Sequence, residues 1–332
     1  ALDYVRLAEQ ANGPIPRGVG LGGRRIIKKK TLAAARPDWG IVNLETAITD
    51  DGVPAPKGIN YRMSVRNAEG LTALGISCCV LANNHMLDWE EQGLSDTLGA
   101  LQALRLPAAG AGLNAREAAA PAVLSHAGGP RVLVFAMASR DSGVPQSWAA
   151  DHEKPGINLV KSLDHEAVSS INERVGAVKR TGDIAIASIH WGGNWGYDIP
   201  PAHEMLARAL IEEAGIDLVH GHSSHHAKGW EIHMGKLILY GCGDFLNDYE
   251  GISGREEYRS DLSAMYLADL DETGDGVVDS LTVIPFIIKG FRLSRAARSD
   301  AGWLCETLNR ECRNRDRHLS VAPDGIITLD RP

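Results

Sequence analysis

Apolar and polar positions switch between two periods along this chain, and the switch points mark its elements. Residues 40–45, Gly-Ile-Val-Asn-Leu-Glu, form a short apolar run ending in polar residues, which predicts a buried strand. Residues 76–81 are apolar apart from Ser77 and partly β-branched, the signature of a strand covered on both faces. Between them, residues 68–74 predict a helix closed by Gly75. Leu94, Leu98, Leu101 and Leu104 recur at helical spacing and predict a helix over 93–104. Strands are predicted at 131–138, 184–189, 218–220 and 237–240, with a helix at 202–214 stopped by Gly215. Residues 261–270 and 277–288 suggest a final portion of sheet, and 326–329 a last strand in an otherwise polar tail. Alternation of this kind predicts an α/β protein. Residues 8–30 and 50–60 are rich in Gly, Pro and charge and read as surface loops.

Composition narrows the picture. At about 150 residues per domain, 332 residues make two domains or one large α/β domain. We assign 1–290 to one domain and 291–332 to a C-terminal extension packed on it. With 34 basic against 42 acidic residues the net charge is −8, which argues against a nucleic-acid partner held by bulk charge. The one dense basic run, Arg24 to Lys30, reads as a solvated face. No apolar run reaches the eighteen or so residues of a membrane span. The five cysteines are odd in number and contain no CxxC pair, so Cys78, Cys79 and Cys242 read as buried thiols. The chain starts at Ala1 with no visible signal-peptide pattern, which leaves localisation open between cytoplasmic and secreted or membrane-anchored.

The chemistry lies where the strands end. One predicted strand ends in Asn43-Leu44-Glu45, another in Asn83-Asn84-His85 with Asp88 three residues on. A third ends in Ser188-Ile189-His190-Trp191, and a fourth in His220-Gly221-His222 followed by His225 and His226. Each alone reads as a turn, a cap or a surface residue. Together they are a set of imidazole, carboxylate and amide donors at the strand ends where open α/β sheets bind ligands. Such donors suit Mn, Fe, Zn or Co ions, two of which clamp the attacking and leaving oxygens of a phosphoryl displacement. Trp191, Trp195 and Tyr197 are an aromatic wall in waiting, and Lys57 and Arg62 are candidate partners for an anionic substrate.

Five ordered segments carry a resemblance: Val42-Asn-Leu-Glu-Thr46, Ala82-Asn-Asn-His-Met-Leu-Asp88, Ser188-Ile-His-Trp-Gly192, Gly221-His-Ser-Ser-His225 and Tyr240-Gly-Cys-Gly-Asp-Phe245. Across about residues 38–250 the chain resembles the poly-γ-glutamate capsule-synthesis (CapA) family, within the calcineurin-like metallophosphoesterase superfamily. The resemblance implies an αββα sandwich of two packed mixed sheets flanked by helices. It implies a metal-dependent, phosphoesterase-like hydrolase linked to capsule biosynthesis, or else a weakly catalytic or non-catalytic assembly or binding subunit for the capsule polymer. By position it makes Glu45, Asn84, His190, His222 and His225 metal ligands. It makes His85 the proton donor and Asp88 its orienting group. Asn43, Arg62, Trp191 and His226 fall at substrate positions. Two divalent ions (Mn, Fe or Zn) are expected for the intact family site, and one in this chain. The implied partners are a small or polymeric anionic substrate and other capsule-synthesis proteins.

Three departures from the family pattern stand out. The family's first strand ends in a Gly-Asp motif that supplies a metal carboxylate; nothing before Glu45 matches, since Asp3 and Asp38 have the wrong surroundings, so an N-terminal strand is expected to be missing. The last histidine motif reads His222-Ser-Ser-His225-His226, so either His222 or His226 could partner His225. Asn194 and Asp244 stand where relatives carry Glu and Asn.

Overall fold

The computed structural model describes residues 37–126, 129–247, 254–271, 275–289 and 292–330. Strands Ile41–Asn43, Cys78–Val80 and Ala108–Ala109 lie parallel, in that order. A larger sheet sets Leu159–Val160, Val132–Ser139, Ile184–His190, Leu218–His222 and Lys236–Leu239 parallel, with Trp230–His233 closing it antiparallel. Leu262–Leu270, Val278–Ile288, Ile327–Leu329 and Leu319–Val321 form an antiparallel group.

The period of two explains the layering, because successive strand side chains point to opposite faces. Val132, Val134, Ile184, Ile186, Leu218 and Leu237 join Val42, Cys79 and Val80 in a core between the sheets. Their odd-even counterparts Leu133, Phe135, Ala185, Ile189 and Val219 pack on the other face. There they meet Val168, Ile171 and Val175 of helix His165–Val178 and Leu206 and Leu210 of helix Pro201–Glu212. Leu94 and Leu101 of helix Glu90–Ala103 cover the other side. The result is the predicted mixed α/β sandwich. Cys78, Cys79 and Cys242 are buried thiols, and burial pushes Cys78 up to about 12.

Several elements differ from the sequence reading. The helix expected at 93–104 starts three residues earlier, at Glu90. Helix His165–Val178 escaped it, although the Asp164 side chain caps the first turn through the Glu166 and Ala167 N–H groups. The polar tail holds helix Arg298–Arg310, whose Leu304, Cys305 and Leu308 enter the inter-sheet core. The 8–30 loop, the Arg24–Lys30 run and Asp3 lie outside the described residues. Asp38 precedes strand Ile41–Asn43 and lines a cavity of about 370 Å³ with Trp39, Ile41, Ile184, Leu218 and Leu267. That cavity sits at the opposite strand end from Glu45. No helix among the described residues is long and apolar enough to cross a membrane.

Candidate metal centre and its surroundings

Parallel pairing aligns the strands' C-terminal ends, and the polar clusters of the sequence fall at those ends. Where the two sheets meet, Gly110 has φ +97° and no room for a side chain, since a Cβ there would stand 2.8 Å from the Ala82 nitrogen and from the Ala136 Cβ. This close approach brings the Asn83–His85 turn against the end of strand Val132–Ser139. The Asn84 amide nitrogen lies against Gly143 just beyond that strand.

The first cluster grows from Glu45, which is buried. Asn43 donates from Nδ2 to Glu45 Oε2 at 3.0 Å. Asn83 donates in turn to Asn43 Oδ1 (3.0 Å) and to the Leu44 carbonyl (2.9 Å). Asn43, expected at the substrate, is instead fully buried and orients the carboxylate. Asn83 Oδ1 accepts from the His85 N–H at 3.0 Å and so shapes the turn. His85 Nδ1 lies 2.6 Å from Asp88 Oδ2, and its Nε2 lies 3.9 Å from Glu45 Oε1. Asp88 also receives the Tyr61 N–H (2.6 Å) and Lys57 Nζ (2.7 Å). Lys57 reaches the Asn84 carbonyl as well, at 2.5 Å. Lys57, expected to meet an anionic substrate, thus holds the buried turn. Arg62 lies 4.3 Å over the Trp89 ring.

The second cluster lies on strands Ile184–His190 and Leu218–His222, whose register pairs Ser188 with His220 and His190 with His222. All four are fully buried and share the parity of Ile184, Ile186 and Leu218, so they face the other sheet. His190 Nδ1 and His222 Nδ1 are 2.9 Å apart. Ser188 Oγ lies 3.1 Å from His222 Nε2 and 3.0 Å from His220 Nδ1. Burial holds His220 down at about 4 and, with its two histidine neighbours, His222 well below the usual histidine value. Both rings are therefore neutral near pH 7, the form that ligates metals.

The third cluster follows strand Leu218–His222. Ser223 takes φ +114°, a conformation costly for a side-chain-bearing residue, and its Oγ donates to the Gly192 carbonyl at 2.9 Å. The His225 N–H donates to the Asn194 carbonyl at 3.0 Å, so the two loops hold each other. His225 Nδ1 lies 3.2 Å from both oxygens of Asp244. A carboxylate accepts, so that nitrogen carries the proton, which leaves Nε2 as the nitrogen open to a metal. His226 turns elsewhere: its Nδ1 donates to the Ala227 carbonyl at 3.0 Å, and its ring packs among Trp195, Tyr197 and Tyr258. The two candidate partners for His225 thus lie in different surroundings, His226 among these aromatic rings and His222 beside His190. Trp191 is a correction to the expected aromatic wall. It is buried on the helical side, stacked 4.7 Å from His203, with Nε1 donating to the Tyr240 carbonyl.

Sequence reasoning also missed Asp141. It accepts from Ser139 Oγ, from the Gly192 N–H (3.3 Å) and from His203 Nε2 (2.6 Å), and so braces the loop after His190. No short-range pattern joins these residues, because three elements supply them.

The donor chemistry fits a divalent ion in two respects. Two metal–nitrogen bonds of about 2.1 Å put their nitrogens about 3.0 Å apart at the right angle of an octahedral ion and about 3.4 Å apart at a tetrahedral angle, and the 2.9 Å His190–His222 separation is close to the first. Asn84 Oδ1 is buried with no hydrogen-bond partner, as an amide ligand's oxygen would be. Among the described residues, no three His, Cys, Asp or Glu side chains gather as a metal-binding group.

Comparison with known proteins places these residues in a lineage. The chain is 42% identical to a probable polyglutamine synthesis accessory protein of Mycobacterium tuberculosis (strain H37Rv) over 331 residues, 99% of this chain and 87% of the relative. It is 27% identical to the capsule biosynthesis protein CapA of Bacillus anthracis, over 71% of this chain and 53% of the relative. It is also 27% identical to the PGA biosynthesis protein CapA of Bacillus subtilis, over 83% of this chain and 67% of the relative. The model of the family described as bacterial capsule synthesis protein PGA_cap matches residues 21–249, a span that takes in all three clusters. The chain therefore belongs to the PGA_cap family of bacterial capsule synthesis proteins.

Proposed function

We propose that this protein is a metal-dependent hydrolase that cleaves a phosphoester or related anionic bond in the synthesis of capsule or poly-γ-glutamate. The observation that carries the reading is His85, held through Nδ1 by buried Asp88 at 2.6 Å while Nε2 stands 3.9 Å from Glu45. A histidine fixed by a carboxylate on one nitrogen presents the other for proton transfer.

Glu45, Asn84, His190, His222 and His225 are the residues that would hold Mn, Fe or Zn. When bound, such ions supply hydroxide near neutral pH and offset the charge that develops on the transferring group. Asn43 and Asn83 aim Glu45, and Asp244 holds His225 through Nδ1, so that Nε2 would be the atom to meet a metal. His85 Nε2 gives a proton to the leaving oxygen. Lys57 and the Tyr61 N–H share the Asp88 carboxylate and keep His85 in one rotamer. Half-buried Trp195 and Tyr197, beside His225 and His226, offer an aromatic wall, and Arg62 a cation for an anionic substrate.

A second reading has its own observation. Among the described residues no three His, Cys, Asp or Glu side chains gather as a metal-binding group, and the Mycobacterium relative is named an accessory protein. On that reading the chain binds or assembles polymer with other capsule-synthesis proteins and turns over nothing. Turnover of bis(p-nitrophenyl) phosphate with added Mn separates the two. Hydrolysis that a chelator abolishes and Mn restores supports the enzyme; a metal-loaded chain with no turnover on phosphomonoester or phosphodiester probes supports the assembly role.

A further inference from the structure

Ser188 and His220 sit one pleat deeper than His190 and His222 on the same two strands, and neither has a part in the chemistry above. Ser188 Oγ touches two rings at once, His220 Nδ1 at 3.0 Å and His222 Nε2 at 3.1 Å. A hydroxyl has one proton, so it donates to one ring and accepts from the other. Beyond the second ring, His220 Nε2 is fully buried with no hydrogen-bond partner.

We propose that Ser188 and His220 form a buried positioning relay that sets which nitrogen of His222 presents its lone pair. The chain of bonds has two directions with the same number of protons. In one, His220 Nδ1–H donates to Ser188, Ser188 donates to His222 Nε2, and the His222 proton sits on Nδ1, facing His190. In the other, His222 Nε2–H donates to Ser188, Ser188 donates to His220 Nδ1, and the His220 proton sits on Nε2. Passing from the first to the second takes one proton off His222 Nδ1 and puts one on His220 Nε2. Only the second direction leaves His222 Nδ1 unprotonated beside His190. The orphaned His220 nitrogen is then where the relay ends, and a cation held by His190 and His222 selects the second direction. Partners of this kind around a ligating histidine typically change metal affinity about 10–100-fold. The cation part of this inference rests on the metal reading above; the coupling of the two rings does not.

The test is the imidazole tautomers, read by long-range proton–nitrogen NMR on the full chain with labelled histidine, first metal-free and then with one equivalent of zinc. The relay requires His220 and His222 to share a tautomer in the metal-free protein, and both to become Nε2–H with zinc. Ser188→Ala should uncouple them and weaken Co(II) binding, followed by its visible absorption, by about 10–100-fold. His220→Leu should behave likewise, while His220→Asn, which keeps an acceptor for Ser188, should stay near the parent. Unlike tautomers in the metal-free parent, or a folded Ser188→Ala variant with parental Co(II) affinity, would overturn the relay. A parent that takes up neither zinc nor cobalt defeats the metal reading instead, and the metal-free tautomer comparison then decides the relay alone.

Discussion

Asp88 holds His85 from three residues further along the chain, Oδ2 to Nδ1 at 2.6 Å, and spends its other oxygen on Lys57. If His85 is the proton donor, His85→Ala should lose about 10²–10⁴-fold in turnover while its metal content stays put. Asp88→Asn should lower turnover too, and should also lower stability, because Lys57 and the Tyr61 N–H lose an anionic partner. Steady-state rates beside elemental analysis check both. Parental turnover in His85→Ala removes that residue from the chemistry.

Metal content gives the second expectation. Among the described residues no three His, Cys, Asp or Glu side chains gather as a metal-binding group, and the proposed ligand histidines His190 and His222 form a pair, so we expect at most one firmly held ion per chain after dialysis. His222→Ala should lose it. Two retained ions per chain would show that carboxylates such as Asp88 or Asp244 complete a second site.

The third concerns the join between the sheets. Gly110→Ala forces a Cβ to within 2.8 Å of the Ala82 nitrogen, on a backbone with φ +97°. We expect a loss of about 2–4 kcal/mol in urea unfolding, from strain and overpacking together. A variant as stable as the parent would mean that this join is softer than its packing implies.

The fourth is a pH dependence at Asp141. Burial opposes its ionisation, but hydrogen bonds from His203, Ser139 and the Gly192 N–H outweigh burial and hold it at about 2, against 3.8 for a free side chain. A carboxyl depressed in the folded state contributes stability that is full above its unfolded value and fades as pH falls through its folded one. The contribution should therefore be intact at pH 7 and lost between about pH 4 and 2. Because Asp141 is half exposed, we expect about 1 kcal/mol. Asp141→Asn should be less stable than the parent at pH 7 and close to it at pH 2. Equal gaps at both pH values would rule out this linkage.

Much of the protein was legible in its sequence because the deciding forces are local. Apolar runs at 78–81 and 132–138 need burial on both faces, so they announce strands of a covered sheet. The ordered segments around Glu45, Asn84, His190, His222 and His225 mark the family without any coordinates. Helix Arg298–Arg310 was hidden, because its few apolar residues look like part of a polar tail until Leu304 and Leu308 meet the inter-sheet core. The side-chain roles were decided by tertiary structure alone. Trp191 is adjacent to His190 in the chain, yet strand alternation turns it to the helical face, away from the site. Lys57 and Asp88 are 31 residues apart and meet only because the 52–61 loop folds over the Asn83–His85 turn. The pairing of His190 with His222, and of Ser188 with His220, is a matter of strand register, set by the packing of whole sheets rather than by any residue's neighbours in sequence.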